Sequence, residues 1–333
     1  MSMKAVKIYK ANEVSIENIQ KPLPEKNEVL IKVMASGICG TDIHIFRGRY
    51  IGDYPVIPGH EFSGIVEEIG NNVTKFNTGD RVAVEPNISC NNCYNCLNNR
   101  QNFCLNWQAV GLTRPGGMAQ YVAAPEQNTF DIGDIPFEAG ALVEPLSCII
   151  HSLQKINFSL GDKVAIFGAG PIGLLMLQII KKIGAVEVSI VDKNKTRIKL
   201  AERYGADISL TNFQILKKDH YDVVVDATGA ISVMRKTLDF VRYGGTVLLF
   251  GVPPIGKPME IEPFIIFKKG LTIISSYTSV RNSYQAIDLL KSGELHVKDL
   301  ISHRLQLEEF QRGIDIIENV AENVKKVMIL PNM

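Results

Sequence analysis

The chain has 333 residues, 46% of them hydrophobic and 21% charged, with a net charge of +1. That length exceeds one ordinary core, so two domains are expected, and the balanced charge excludes the basic footprint of a nucleic-acid or anionic-membrane binder. Six cysteines, four of them clustered, argue for metal and against disulfides, and for a reducing cytoplasm.

Residues 1–10 alternate apolar and charged side chains as a first strand does, and lack the apolar core of a signal peptide. Further strands are predicted over 29–33, 62–69 and 81–86, with turn signals at Asn71, Asn72 and 78–80 between them. Strands at such short intervals predict a compact, partly open β-barrel over roughly the first 124 residues.

Two groups in this stretch carry metal chemistry. Cys39 stands apart from the other cysteines, and Gly59-His60-Glu61 follows it. One thiolate, one imidazole and one carboxylate leave a fourth position on zinc open to water or substrate. Cys90, Cys93, Cys96 and Cys104 spell C-x2-C-x2-C-x7-C in an asparagine-rich loop. Four thiolates close a tetrahedral zinc and hold structure instead. An iron–sulfur cluster competes, but the long last spacing and the absence of a following proline speak against it. Taken singly, Cys39 also reads as a core thiol, His60 as a hydrogen-bonded core imidazole and Glu144 as a counter-charge.

The character changes near Pro145. Strands over 163–167, 187–191, 223–226, 246–251 and 271–275 alternate with helices over 170–183 and 195–204, which predicts βαβ units and a parallel sheet. The longest apolar run, 164–180, nearly reaches membrane-spanning length. Gly168, Gly170, Pro171 and Gly173 interrupt it, so strand, turn and helix is the reading. An amphipathic helix carrying Ala286, Leu289 and Leu290, a helix over 310–317 and a strand over 326–330 are expected to return to the first domain. This gives a zinc-binding catalytic domain of 1–147 with 284–333, and an inserted dinucleotide-binding domain of 148–283.

Gly168, Gly170 and Gly173 form G-x-G-x-x-G directly after an apolar strand and at the start of a helix. Such a turn lets backbone approach a pyrophosphate, here along Gly168, Gly170, Pro171, Ile172 and Gly173, with the helix N-terminus facing the anion. Asp192 closes the next strand, about twenty residues on, where an acid bonds ribose hydroxyls and repels a 2′-phosphate. NAD is therefore favoured over NADP. Arg197 folds over the adenine, reaches a phosphate, or is a solvated helix arginine.

The segment G-I-C-G-T-D-I-H over 37–44 resembles the zinc-ligand segment of the medium-chain zinc-dependent alcohol and polyol dehydrogenases. Gly59-His60-Glu61 resembles their second ligand motif, and Glu144-Pro145-Leu146-Ser147 the polyol (sorbitol) dehydrogenase-like branch in particular. With the cysteine lobe and the glycine turn, the likeness spans nearly the whole chain in family order. It implies a GroES-like barrel domain joined to a doubly wound Rossmann domain, NAD as cofactor, and two zinc ions per chain, one catalytic and one structural.

The same resemblance makes Cys39 and His60 direct ligands of the catalytic zinc. Family members differ over the carboxylate that completes the shell; Glu61 is the expected ligand here, with Glu144 nearby on water or a substrate hydroxyl. Thr41 matches the hydroxyl that orients the substrate oxygen, His44 the outer proton relay, and Asp42 the acid that orients the zinc-bound histidine. Thr41 and Asp42 equally suit capping of a helix that begins there. Further cofactor contacts fall at Thr228, Gly251, Val252 and Thr278.

Departures from the family bear on substrate. Ile45 stands where sorbitol-type enzymes carry tyrosine, and Thr278 and Ser279 where they carry an Arg-Tyr pair. This points away from sorbitol toward another sugar alcohol, a short diol such as 2,3-butanediol, or a simple secondary alcohol. Arg47, Arg49, Arg114 and Arg281 are candidates for polyol or phosphate contacts, or else solvated surface. Cys148 is expected to be a small buried hydrophobe. The alternatives are a threonine dehydrogenase-like activity and a catalytically silent NAD-binding relative; the second predicts a damaged metal set, yet Cys39, His60, Glu61 and Glu144 are all present. Relatives of this kind are commonly homodimers or homotetramers, and strand 271–275 offers an edge for joining sheets between subunits, or else the buried edge of one domain.

Overall fold

A computed structural model describes all residues except 51–52 and 320–323, and the chain divides into two units, Met1–Cys148 with Thr278–Met333, and Ile149–Tyr277. Residues 278–283, assigned above to the inserted domain, group with the first unit.

In the first unit Glu28–Gly37 is the organising strand. Val29, Ile31 and Val33 alternate onto one face and pack with Phe62, Val66 and Val82. The strand pairs antiparallel with Glu61–Ile69, with Tyr121–Pro125 and, at its far end, with the last strand, Lys326–Ile329. The seven-stranded sheet runs Ile301–Leu305, Lys326–Ile329, Glu28–Gly37, Glu61–Ile69, Arg81–Val84 and Thr129–Asp131, with Tyr121–Pro125 off this path. A register shift between Val33 and Ala35 bends the strand before it delivers Cys39 to the short helix Gly40–Phe46. Ile43, Ile45 and Phe46 of that helix share a core with Phe310, Val327 and Ile329, so residues from both chain ends build one interior. Ser2–Lys10 pairs with Glu13–Gln20 in a separate hairpin; the half-buried pattern of the second strand hid it from the sequence.

The second unit is a six-stranded, all-parallel sheet. Numbered along the chain, its strands lie in the order 3-2-1-4-5-6, the doubly wound arrangement. Lys163–Phe167 lies at its centre, and Pro171–Ile183 follows with proline in the first turn and Gly184 in the left-handed conformation at its end. The strand expected over 246–251 is Val241–Leu249; it stops there because the N–H groups of Phe250 and Gly251 both donate to the Asp226 carbonyl. Ile231–Phe240, absent from the sequence reading, is a helix despite β-branched residues because Met234, Thr237, Leu238 and Phe240 are buried together. Among the described residues no helix is long and apolar enough to cross a membrane.

Candidate active site

One carboxylate ties two chain segments into a site. Cys39 is the N-cap of Gly40–Phe46, and Asp42 Oδ2 accepts the Cys39 N–H at 2.8 Å. Asp42 Oδ1 accepts the Gly59 N–H at 3.2 Å and lies 3.5 Å from His60 Nδ1. Of the two suggested caps, then, Asp42 acts and Thr41 does not. Gly59 has φ +97°, and a Cβ there would come within 2.7 Å of the Met118 nitrogen, so only glycine permits the turn that presents His60. Cys39 Sγ, a His60 nitrogen and a Glu61 carboxylate oxygen lie within 4.8 Å of one another.

The electrostatics of this trio suit a cation. Burial opposes charge on His60, but Asp42 and Cys39 outweigh it and raise the imidazole well above its ordinary range. Three anionic or acceptor groups thus favour positive charge at the point where they meet. Glu144 stands outside the trio. Burial, joined by Glu61 and Glu85 and partly opposed by His60, pushes its carboxyl up to about 7.

The roles of three residues at this site are not legible in the sequence. Lys326, on the last strand, is buried and ion-paired to Glu61 Oε2. Burial works against its ammonium, yet Glu61 and Cys39 outweigh burial and raise its pKa. A lysine inside the fully buried strand K-V-M-I was the available signal, since a buried ammonium requires a partner. Cys148 is more than a small hydrophobe: one helical turn after Glu144 on Val143–Leu153, its thiol donates to Glu144 Oε1 at 3.2 Å. Glu85, 8% exposed, accepts the hydroxyls of Ser279 at 2.6 Å and Ser283 at 3.2 Å. Ser147, on the helix that bears Glu144, lies 3.4 Å from the Ser283 hydroxyl, while its own proton goes chiefly to the Val143 carbonyl at 2.7 Å. Thr41 and His44 lie three residues apart on Gly40–Phe46 and so share a face. Burial and the Arg49 charge lower the His44 pKa. Arg47 is bonded to Glu318 and Asn12, and Arg114 to the buried Glu28, so neither is free for a substrate.

The cysteine quartet is assembled as a cage. Its sulfur separations are 3.4 Å (Cys93–Cys96), 3.5 Å (Cys90–Cys104), 3.9 Å (Cys90–Cys96) and 4.0 Å (Cys93–Cys104). A tetrahedron with zinc–sulfur bonds of about 2.3 Å requires sulfurs about 3.8 Å apart. Backbone N–H groups of Leu105 and Cys96 draw Cys93 down to about 6, while burial and the Cys93 and Cys104 sulfurs push Cys96 up to about 12. Four thiolates this close need a dication to be charged together, and the donor set fits zinc.

In the second unit the glycine turn is geometrically required. Gly168 has φ +104°, and a Cβ on Gly173 would fall 1.8 Å from the Gly168 carbonyl oxygen. Pro171 and Ile172 open the helix behind Gly170, its N-cap. Asp192 accepts the N–H groups of Ala169 and Asn194, each at 2.8 Å, which pins the second strand's end to this turn. Arg197 Nη1 lies 3.7 Å from Asp192. Thr228 bonds Asp226 at 2.6 Å, and Gly251 packs so closely on Gly229 that a Cβ would meet its nitrogen at 2.0 Å. Thr228, Gly251 and Val252 therefore lie with the glycine turn beyond the carboxyl ends of parallel strands, where open α/β sheets bind ligands. Thr278 belongs to the first unit, at φ +49°, and its hydroxyl is buried without a hydrogen-bond partner among the described residues.

Comparison with known proteins agrees with this architecture. The alcohol dehydrogenase GroES-like domain family matches residues 25–134, and the zinc-binding dehydrogenase family matches residues 171–292. D-arabinitol dehydrogenase 1 of Uromyces fabae is 32% identical, with 99% of this chain and 97% of that protein aligned. L-threonine 3-dehydrogenase of Proteus mirabilis is 35% identical over 95% of this chain and 97% of its own. The crystal structure of a zinc-binding dehydrogenase from Sinorhizobium meliloti 1021 bound to NADP superposes with a TM-score of 0.94 at 35% identity, covering 99% of this chain and 100% of that one. The chain belongs to the zinc-binding medium-chain alcohol dehydrogenases, in the polyol dehydrogenase branch. It is accordingly a pyridine-nucleotide-dependent oxidoreductase acting on a small-molecule alcohol.

Proposed function

We propose that the enzyme oxidises a carbinol carbon of a polyol or secondary alcohol with NAD, giving a ketose or ketone, at a catalytic zinc held by Cys39, His60 and Glu61. The observation that carries this is the convergence of a thiolate, an imidazole and a carboxylate within 4.8 Å. When bound, the zinc lowers the pKa of a substrate hydroxyl and NAD takes up the hydride.

The chain's own groups divide the remaining work. Asp42 engages the Nδ1 side of His60 and leaves Nε2 for ligation. Glu61 offers Oε1 while Oε2 faces Lys326. Thr41 orients the substrate oxygen and passes its proton toward His44. Burial and Arg49 favour the neutral form of His44, so a ring nitrogen has a lone pair to accept that proton and release it to solvent. Glu144, with its carboxyl near 7 and steadied by Cys148, exchanges hydrogen bonds with water or a substrate hydroxyl. Cys90, Cys93, Cys96 and Cys104 hold the structural zinc. Gly168, Gly170, Pro171, Ile172 and Gly173 receive the pyrophosphate and Asp192 the ribose, while Arg197, Thr228, Gly251 and Val252 flank the rest of the cofactor.

The test is a panel of polyols, short diols and L-threonine assayed with NAD and NADP; no reduction of either cofactor by any alcohol defeats the proposal. Threonine oxidation is a second reading, favoured by the 35% identity to the Proteus enzyme, and the same panel separates the two. NAD is expected to be preferred, and Asp192→Ala to erode that preference about tenfold, the worth of a hydrogen bond to a charged group. An unchanged NAD-to-NADP ratio of kcat/KM would remove Asp192 from ribose recognition.

A homo-oligomer and a reducing cytoplasm complete the reading. Thr272–Ser275 is an edge strand with half-buried Ile273 and Ile274, and Phe264 and Phe267 nearby in sequence are 59% and 81% exposed. An open edge beside exposed aromatics supports a dimer or tetramer joined there. Sedimentation should give a dimer or larger, with Ile273→Lys shifting it toward monomer; a monomeric unaltered protein refutes the assignment. Six free cysteines support the cytoplasm.

A further inference from the structure

We infer that a pocket of the first unit beside Glu85 takes the distal end of the substrate, and that this end carries a negative charge as phosphate or carboxylate. The inference rests on the polyol reading and extends it to substrate class. The pocket encloses about 380 Å³, within the range of small-molecule sites.

Its chemistry is that of a polyhydroxylated ligand. Phe130 and Tyr284 line it as an edge-to-face pair with ring centroids 4.9 Å apart, an apolar wall for the C–H face of a carbon chain. Amides supply the rest. Asn128 spends its NH2 group on the carbonyls of Glu85 and Asn87, at 2.9 and 2.8 Å, so its carbonyl oxygen stays open to a hydroxyl. Gln127 accepts from Asn91 at 3.2 Å, leaving its own NH2 group to donate. The cavity thus offers both an acceptor and a donor, as a diol requires.

Its charge is polarised. Buried Glu85 lies at one end, tied through Ser283 and Ser147 to the helix that bears Glu144. At the solvent side stand Arg281 and Lys75, both exposed; Lys75 faces the Glu126 carboxylate, which accepts its backbone N–H at 2.6 Å, whereas Arg281 has no ion-pair partner among the described residues and is the cation open to a ligand. Arg281 is held at φ +56°, next to Asn282, whose Oδ1 accepts the Val280 N–H at 3.0 Å, so the cation projects from a fixed turn. An acceptor-rich inner end and a cationic outer end orient a ligand with hydroxyls inward and an anion outward. Ser279 fits the same scheme: it bonds Glu85 and lines the pocket.

The experiment compares a pentitol, its terminal phosphate ester and the matching aldonate as substrates of the zinc-loaded enzyme with NAD. kcat/KM is expected to be about tenfold or more higher for an anionic form, mostly through KM, as charge-assisted hydrogen bonds imply. A gain on either the phosphate or the carboxylate supports the site, and its size identifies the anion. Arg281→Gln should bring the anionic-to-neutral ratio to about one, and Arg281→Lys should restore part of it. Equal rates on ester and parent polyol in the unaltered enzyme, or an unchanged ratio in Arg281→Gln, overturns the pocket while polyol oxidation stands. If no polyol in any form is oxidised, calorimetric titration of the pentitol phosphate decides: a loss of about tenfold in affinity in Arg281→Gln supports the site, and equal affinity overturns it.

Discussion

Glu61→Gln is expected to destabilise the protein by about 3–5 kcal/mol, the cost of removing one partner from a buried ion pair. Glu61 is 1% and Lys326 6% exposed, so a glutamine leaves the ammonium out of water without its counter-charge. The neighbouring Cys39 and Asp42 charges compensate only in part, because Asp42 is already committed to Cys39, Gly59 and His60. Glu61→Gln combined with Lys326→Met should recover most of the loss, since replacing both partners removes the stranded charge. Urea titration of the three variants and the parent, with metal content measured in parallel, supplies the numbers. A single Glu61→Gln variant within about 1 kcal/mol of the parent would show that the pair is not buried as described.

Cys39→Ser should lower turnover by about a thousandfold or more, the scale of several kcal/mol of lost charge stabilisation. Its effect should be confined to chemistry: zinc falls from two ions per chain to one, NAD affinity persists, and the thermal midpoint moves little. Cys96→Ser should act in the opposite sense. That sulfur is buried, and cage sulfurs lie 3.4 and 3.9 Å from it, so its loss opens the loop and lowers the midpoint. Metal analysis with turnover and melting on both variants distinguishes the two sites. Cys39→Ser retaining substantial activity, or losing no metal, contradicts the catalytic role.

How much of this was legible depended on how local each signal is. The boundaries of Lys163–Phe167 and Glu187–Val191 were read directly, because a short apolar strand next to glycine announces itself within a few residues. The Cys39, His60 and cysteine-lobe motifs were equally legible, since thiol and imidazole chemistry is carried by spacing. Pairings closed by tertiary structure were not. Ser279 and Ser283 are 194 and 198 positions from the Glu85 they bond, and no periodicity records that. Lys326 lay in a predicted strand, but its partner was invisible until the sheet set Lys326–Ile329 against Glu28–Gly37. Cys148 is intermediate: its spacing from Glu144 puts the two on one helix face, and only the helix itself was missed.

That the last strand supplies Lys326 has a consequence for biosynthesis. Before Lys326–Ile329 is synthesised, both cysteine-bearing segments and the whole of Ile149–Tyr277 are already made, yet Glu61 faces an interior with no ammonium to meet it. The nucleotide-binding fold is contiguous and can form as its residues emerge, whereas the cluster of Cys39, His60 and Glu61 waits for Lys326. A nascent or prematurely terminated polypeptide would then be a coenzyme-binding protein without a finished centre, and synthesis itself would fix the order in which the two capacities arise.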